Sequence, residues 1–384
     1  MSSYYATLVF ITITTMIVSI IHFFENLTLS RREKHQFIFV SFLIILGVIC
    51  EFFGICLNSS TLTNTRIVHA LVKAIEFTIA PVIPASYIVI IGCNNIRKIV
   101  KNIIILLLIL NTFLEFFNIL IPFIFYIDKN NIYRHGVGYI IYILVYSIEI
   151  IIFIVELLKN TKKYQIRSIA TLSAILVFLV TGLCIRIIDS SINSDWLVVA
   201  ITYLLFVIYY SDLSLKTDSL TSLLNRKSYE YRLRKLDYTT AIILLDVNNF
   251  KQINDKMGHA CGDSTLRIIS TLILKCYGKY GYCYRIGGDE FAIILKNGIL
   301  DKVSTEKNDL YYSRFIDNLN GGFDTILSTN CKEYPTLKYG VSKGYSIFYG
   351  GNNLNYEENT DYFSAIQNAI NLADKKLKKK KKNK

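Results

Sequence analysis

Seven long apolar stretches, at roughly 4–24, 37–57, 67–93, 103–127, 139–158, 169–189 and 196–213, occupy the first half of this 384-residue chain. A helix needs about 20 apolar residues to cross a bilayer core of about 30 Å, and each stretch is close to that length. A chain with this pattern cannot bury its apolar surface in one water-soluble core, so residues 1–211 read as an all-α, seven-helix transmembrane bundle set in a lipid bilayer, a candidate sensor region. The first stretch opens with MSSYYATL, without the basic residues of a signal peptide, and more spans follow it. It is expected to be a retained helix.

Orientation follows from cations in the short loops. Arg31, Arg32 and Lys34 follow the first span, Arg97, Lys98 and Lys101 the third, and Lys159, Lys162, Lys163 and Arg167 the fifth. The alternate loops hold only Arg66, then Lys129 and Arg134, then no cation at 190–195. The N-terminus is therefore expected outside a cell inner or plasma membrane and everything after residue 211 in the cytoplasm. Trp196, Tyr209 and Tyr210 are expected as interfacial aromatics flanking the last span.

Charged and polar groups inside the spans are expensive in hydrocarbon and should face the bundle interior. His69, Lys73 and Glu76 share one helical face, as do Asn111, Glu115 and Asn118; Glu149 and Glu156 are one heptad apart, and Glu51 and Arg186 stand singly. Interhelical ion pairs and a ligand, ion or proton site are both open readings. Pro81 and Pro84 fall in the third span.

Past residue 211 the long apolar runs give way to short alternating elements. TTAIILLDV (239–247) reads as a buried strand, and 250–277 as two helical pieces broken near Gly258. GYCYRI and FAIILK read as two strands of a hairpin turning at Gly287 and Gly288, where adjacent glycines permit the positive φ of a tight turn. A helix is expected at 306–319, a strand near 338–348 and a last helix at 361–380. Strands interleaved with helices imply an α+β domain over 212–384. The net charge of +13 does not mark a nucleic-acid-binding face, because eight lysines fall in the last ten residues, and without them residues 212–384 are balanced. Eight cysteines without a CxxC pair argue against a zinc ribbon and a disulfide scaffold.

Asp289 and Glu290 follow the glycine turn, and Asp246 ends the first strand. If those strands are neighbours, Asp246 and Glu290 reach one point, and carboxylates without His or Cys suit a hard cation such as magnesium, whose remaining ligands come from substrate phosphates. Nucleotide chemistry is the leading reading.

Residues 287–291 spell GGDEF, and the segment resembles the GGDEF diguanylate cyclase family. DSLTSLLNR (218–226) resembles that family's opening motif, DVNNFKQINDKMGHACGD (246–263) its metal- and guanine-binding stretch, and ADKKLKKKKK (373–382) its closing helix. The resemblance implies a ferredoxin-like, nucleotidyl-cyclase-type sheet that binds GTP and works as a homodimer, condensing two GTP into cyclic di-GMP and two pyrophosphates. It implies Mg2+, two ions per GTP site, held by Asp246, Glu290 and the Val247 carbonyl, with Asp289 assisting at the metal or the attacking hydroxyl. Asn254 and Asp263 would read guanine; Asn249 and Phe250 would offer amides to phosphate, and Gly288 would admit the nucleotide. Lys251, Arg285 and Lys381 are its candidate phosphate or transition-state cations. Three departures stand out. Asn248 replaces the second acid of the D-x-D stretch, the arginine beyond the closing helix is missing, and the R-x-x-D product-inhibition positions are GKYG (278–281), so no feedback through that site is expected. A catalytically silent GGDEF module on a membrane receptor, binding GTP or a protein, is the alternative.

Overall fold

The computed structural model describes residues 3–25, 29–58, 65–91, 98–163, 169–188, 195–303, 309–350 and 359–382, which fall into two compact units, Met1–Leu213 and Ser214–Lys384. The loop residues Arg97, Arg167 and 190–194, the start of the expected helix at 306–308, and residues 383–384 lie outside the described residues, as does the side chain of Arg186.

The first unit contains α1 (Ser3–Glu25), α2 (Arg31–Leu57), α3 (Thr65–Ile91), α4 (Lys98–Phe117), a small hairpin of β1 (Phe125–Ile127) and β2 (Tyr133–His135), α5 (Tyr139–Lys163), α6 (Ile169–Ile188) and α7 (Asp195–Lys216), whose last turn enters the second unit. Six of the seven helices are long and apolar enough to cross a membrane, by length and composition; within α6 the described apolar helix is the shorter Ala170–Thr181. A capping box starts α2, with Ser30 Oγ accepting from the Glu33 amide and the Glu33 carboxylate accepting from the Ser30 amide.

The fourth expected span is too long. Its helix stops at Phe117, because the Asn118 side-chain oxygen accepts from the amides of Phe123, Ile124 and Phe125 at 2.7, 2.6 and 3.3 Å and its Nδ2 donates to the Phe125 carbonyl at 2.8 Å. The apolar run beyond it feeds a hairpin, and Pro122 cannot continue a helix. Asn118 thus builds a turn. Of the expected interfacial aromatics, Trp196 and Tyr209 are buried within the helical unit. The Trp196 indole fills the space over Gly47 that a side chain would occupy, with Nε1 3.5 Å from Glu76 Oε1. Lys73 and Glu76 pair at 2.8 Å, and the Tyr5 hydroxyl donates to Glu51 at 2.6 Å. Glu115 and Glu149 are fully buried, with no hydrogen-bond partner among the described residues.

The second unit runs α8 (Arg226–Arg234), β3 (Thr240–Val247), α9 (Phe250–Met257), α10 (His259–Tyr277), β4 (Gly281–Arg285), β5 (Glu290–Leu295), α11 (Asp309–Asn330), a 3-10 turn (Pro335–Tyr339), β6 (Val341–Phe348) and α12 (Asn359–Lys382). Its sheet is antiparallel throughout, in the order β4-β5-β3-β6. Both faces are covered, which is why β3 is buried at every position and reads as a continuous apolar run. Successive strand residues point to opposite faces. Ala241, Ile243, Leu245 and Val247 pack into the core with Ile253, Leu266, Ile273 and Tyr312 from α9, α10 and α11. The opposite face lies under α12, whose buried stripe Ile366, Ala369, Ala373 and Leu377 has helical spacing. Gly344 of β6 sits under that helix, where a Cβ would collide with the backbone of Ala373 and Leu377.

α11 outruns its expected end at residue 319. Its buried face continues through Asn320, Phe323 and Leu327, and Gly321 faces open space, so neither adjacent glycine stops it.

Candidate active site

Sheet parity assembles the site. Asp246 pairs in register with Glu290 on one side and Ser342 on the other, and all three belong to the residue set that faces α12. The same parity extends along the helix: four residues beyond Leu377 comes Lys381, the next position of the buried stripe, and its Nζ reaches Asp246 Oδ1 at 2.6 Å. One lysine of the run is therefore directed inward. Its side chain remains 43% exposed while that of Asp246 is 10% exposed, so the pair opens to solvent from the lysine side.

Burial pushes the Asp246 carboxyl above the usual aspartate range, opposed by its bond to Lys381 and reinforced by the charge of Asp289. A carboxylate that retains a cation beside it under those conditions is a cation-seeking group. Among the described residues no group of three or more His, Cys, Asp or Glu forms a preformed metal cluster. The donor set, two in-register carboxylates with Asp289 near by, fits an ion that completes its shell from substrate oxygens.

The glycine turn between β4 and β5 differs from expectation. Neither Gly287 nor Gly288 has a positive φ; among the described residues the positive-φ glycines are Gly258, Gly298 and Gly340. A Cβ on Gly287 would come 2.5 Å from Glu290 Oε2, the far end of an exposed side chain that can swing aside, and Gly288 faces open space. The Glu290 carbonyl accepts from the amides of Ile286 and Gly287, and the Asp289 carbonyl accepts from the Val247 amide at 3.2 Å. That last bond ties the turn to the end of β3.

Arg285 braces this turn. Its Nε and Nη2 donate to the Gly288 carbonyl at 3.2 and 2.8 Å, and its Nη1 pairs with Asp218 Oδ1 at 3.0 Å. Burial alone would raise the Asp218 carboxyl, but hydrogen bonds from Thr221 and Arg285 outweigh it and hold the group below the usual range. Arg285 is thus a structural clamp here, and Asp218 is a supporting residue that its opening-motif position alone did not reveal.

At the other end of the loop, Asn249 adopts a left-handed φ of 53° and leads into α9 without a side-chain cap. An uncapped helix start presents backbone N–H groups to an anion, and these belong to the Asn249–Phe250 segment. Lys251 is exposed on α9. Gly258, with φ 81°, turns α9 into α10 and brings Asn254 against Gly262, the residue before the exposed Asp263. Asn254 Oδ1 is buried and has no hydrogen-bond partner among the described residues. A buried acceptor left open is costly, and a ligand N–H would satisfy it.

Asn248 is taken up by bonds within the fold. It is buried, and its carboxamide engages the 3-10 turn and β6 through Tyr339 and Ser342. No local sequence signal announces a contact to a residue 94 positions away.

Over part of its length the chain is similar to known proteins. The family model for the diguanylate cyclase, GGDEF domain, matches residues 215–342. Diguanylate cyclase DgcS of Shewanella oneidensis is 35% identical over 105 residues, covering 25% of this chain and 36% of that protein. Probable diguanylate cyclase DgcI of Escherichia coli is 34% identical over 124 residues, 32% of this chain and 28% of its own length. Cyclic di-GMP phosphodiesterase PdeB of S. oneidensis is 38% identical over 81 residues, 20% of this chain and 10% of that protein. The chain thus spans little more than a third of these relatives at most. Among solved structures, the coiled coil and GGDEF domain of DgcB from Caulobacter crescentus aligns with a TM-score of 0.37 and 20% identity, over 53% of this chain and 95% of that one.

Proposed function

We propose, from the membership of residues 215–342 in the GGDEF domain family, that this chain is a membrane-bound diguanylate cyclase. Two copies, each holding one GTP, would condense them into cyclic di-GMP and two pyrophosphates. The observation that carries this reading is the register of Asp246 against Glu290 at the sheet end where a cation already sits on Asp246.

In each half-reaction the ribose 3′-oxygen of one GTP forms a bond to the α-phosphorus of the other, the bond from that phosphorus to the bridging oxygen breaks, and pyrophosphate leaves. A second copy is needed because each nucleotide is the nucleophile for its partner. Asp246, Glu290 and the Val247 carbonyl would hold magnesium, which neutralises phosphate charge and makes the 3′-hydroxyl easier to deprotonate. Asp289 would accept or orient that proton. The Asn249 and Phe250 amides would receive phosphate oxygens. Asn254 Oδ1 would accept from guanine, with Asp263 completing the amide-and-carboxylate pair that suits its N1 and N2 donors. Lys381 would leave Asp246 for the triphosphate once a metal ion takes its place, while Lys251 adds charge from α9.

The helical unit would cross the membrane with its N-terminus outside and the GGDEF domain in the cytoplasm, and would set the population of facing dimers. With GKYG at 278–281, added cyclic di-GMP should not inhibit noncompetitively with GTP.

The reading is tested by magnesium-dependent conversion of GTP to cyclic di-GMP by the full-length protein in lipid, with Glu290→Gln as control. Turnover that disappears in the control supports it. GTP binding by a confirmed dimer without turnover favours a second reading, a silent signalling module. The engagement of Arg285 by Asp218 and Gly288 points that way, since it removes one candidate transition-state cation.

A further inference from the structure

We propose that Asn248 is the positioning residue of the metal-and-phosphate loop, and that this chain requires a carboxamide where the family pattern carries an acid; the proposal rests on the cyclase reading above. Asn248 follows Val247, whose carbonyl is the proposed metal ligand, and precedes Asn249, where α9 begins. Three bonds anchor it. Its backbone amide donates to the Gly340 carbonyl at 3.1 Å, its Nδ2 donates to the Tyr339 carbonyl at 3.1 Å, and its Oδ1 accepts from Ser342 Oγ at 2.6 Å.

The anchor is itself fixed. Thr336, within the 3-10 turn, accepts a hydrogen bond from Thr265 of α10 at 2.9 Å, and both side chains are buried. On the opposite side of the loop the Val247 amide donates to the Asp289 carbonyl. The three loop residues are therefore clamped between the GGDEF turn and β6, and the clamp sets the Val247 carbonyl and the left-handed Asn249.

The Tyr339 carbonyl can only accept, so the atom facing it must donate. A carboxylate cannot. Asp at position 248 would keep the bond from Ser342, oppose a half-buried carbonyl with an anion, and place another negative charge two residues from Asp246. The buried Asn248 side chain would then carry a charge that only the Ser342 hydroxyl satisfies, which costs more than the lost bond itself. Asn248 and Ser342 thus form a matched pair in which the departure from the D-x-D pattern is the working residue.

The test uses the full chain in lipid, with Mn2+ as the probe read by electron paramagnetic resonance and with GTP turnover measured in parallel. Asn248→Asp is expected to lower Mn2+ affinity and kcat by about tenfold or more while KM for GTP moves less than about threefold, because a displaced ligand affects alignment and the guanine contacts lie elsewhere. Ser342→Ala should weaken Mn2+ binding in the same direction and less. Mn2+ affinity or kcat in Asn248→Asp equal to or above the natural chain overturns the proposal. Should Asn248→Asp fail to fold, unchanged Mn2+ affinity in folded Ser342→Ala overturns it equally. A natural chain that binds Mn2+ and GTP without turnover sinks the cyclase reading alone, since the affinity difference between variants still decides the role of Asn248.

Discussion

Two of the molecule's lysine–carboxylate pairs, one in each half, differ in what their burial allows. Lys73 and Glu76 are one turn apart on α3, at 2.8 Å, with side chains only 11% and 10% exposed and Trp196 close to the carboxylate. Lys381 and Asp246 are 135 residues apart and meet only because β3 and α12 pack together, with the lysine 43% exposed. The first pair is sealed on both sides, so its members stabilise each other and have nowhere to go. In the second, one partner can leave into solvent, which suits a site where a metal ion must replace an ammonium. Between these two pairs, the difference is whether both members are buried or only one.

Breaking the sealed pair should cost most. Lys73→Met leaves Glu76 buried without its cation, and loss of one partner from a buried pair typically destabilises by about 3–5 kcal/mol. The melting temperature in lipid should fall clearly, and the double variant Lys73→Met with Glu76→Gln should recover part of the loss. A single variant as stable as the natural chain would erase the distinction drawn here. At the open pair the cost should appear in chemistry: Asp246→Asn is expected to reduce magnesium-dependent GTP turnover at least about a hundredfold, about 3 kcal/mol in the barrier, with little change in melting temperature. If stability fell as far as in Lys73→Met, Asp246 would be a structural acid.

The Asp218–Arg285 pair lies between these extremes, with side chains 23% and 15% exposed. Asp218→Asn should cost about 2 kcal/mol, the range of a hydrogen bond to a charged group. The sign of its pH dependence follows from the lowered carboxyl: the stabilisation is complete above the ordinary aspartate value of about 3.9 and is lost as pH falls through the lower folded value. The gap between natural chain and variant in unfolding free energy should therefore be flat at neutral pH and close in acid. A gap that widened on acidification would refute the assignment.

The sequence made period and composition legible. The apolar spans, the strand ending at Asp246 and the hairpin carrying Glu290 all follow from residue spacing, and helical spacing also places Lys381 on the stripe of Ile366 and Leu377. Wherever a polar side chain is satisfied by something distant, that signal stops. Asn118 ends the fourth helix inside an apolar run, Trp196 is drawn inward by the gap over Gly47, and Arg285 is taken up by Asp218, which lies 67 residues away. The glycine turn shows a different limit. Gly287 and Gly288 do not use the positive φ that adjacent glycines permit, and composition cannot tell whether that freedom is taken up.

The smallest expected effect is the most discriminating. If Lys381 stands in for a metal ion on Asp246, removing it has opposite consequences for the ion and for the nucleotide. Lys381→Met frees the carboxylate, so affinity for Mn2+ alone should rise, by about threefold, given that a pair open to solvent on one side is worth only about 0–1 kcal/mol. Affinity for GTP should fall in the same variant, since a cation that moves to the triphosphate is gone. Lys379→Met, on the outer face of the same helix, should change neither. Parallel losses of both affinities in Lys381→Met would mean that the lysine holds Asp246 in place for metal binding, and the open pair would then be structural like the sealed one.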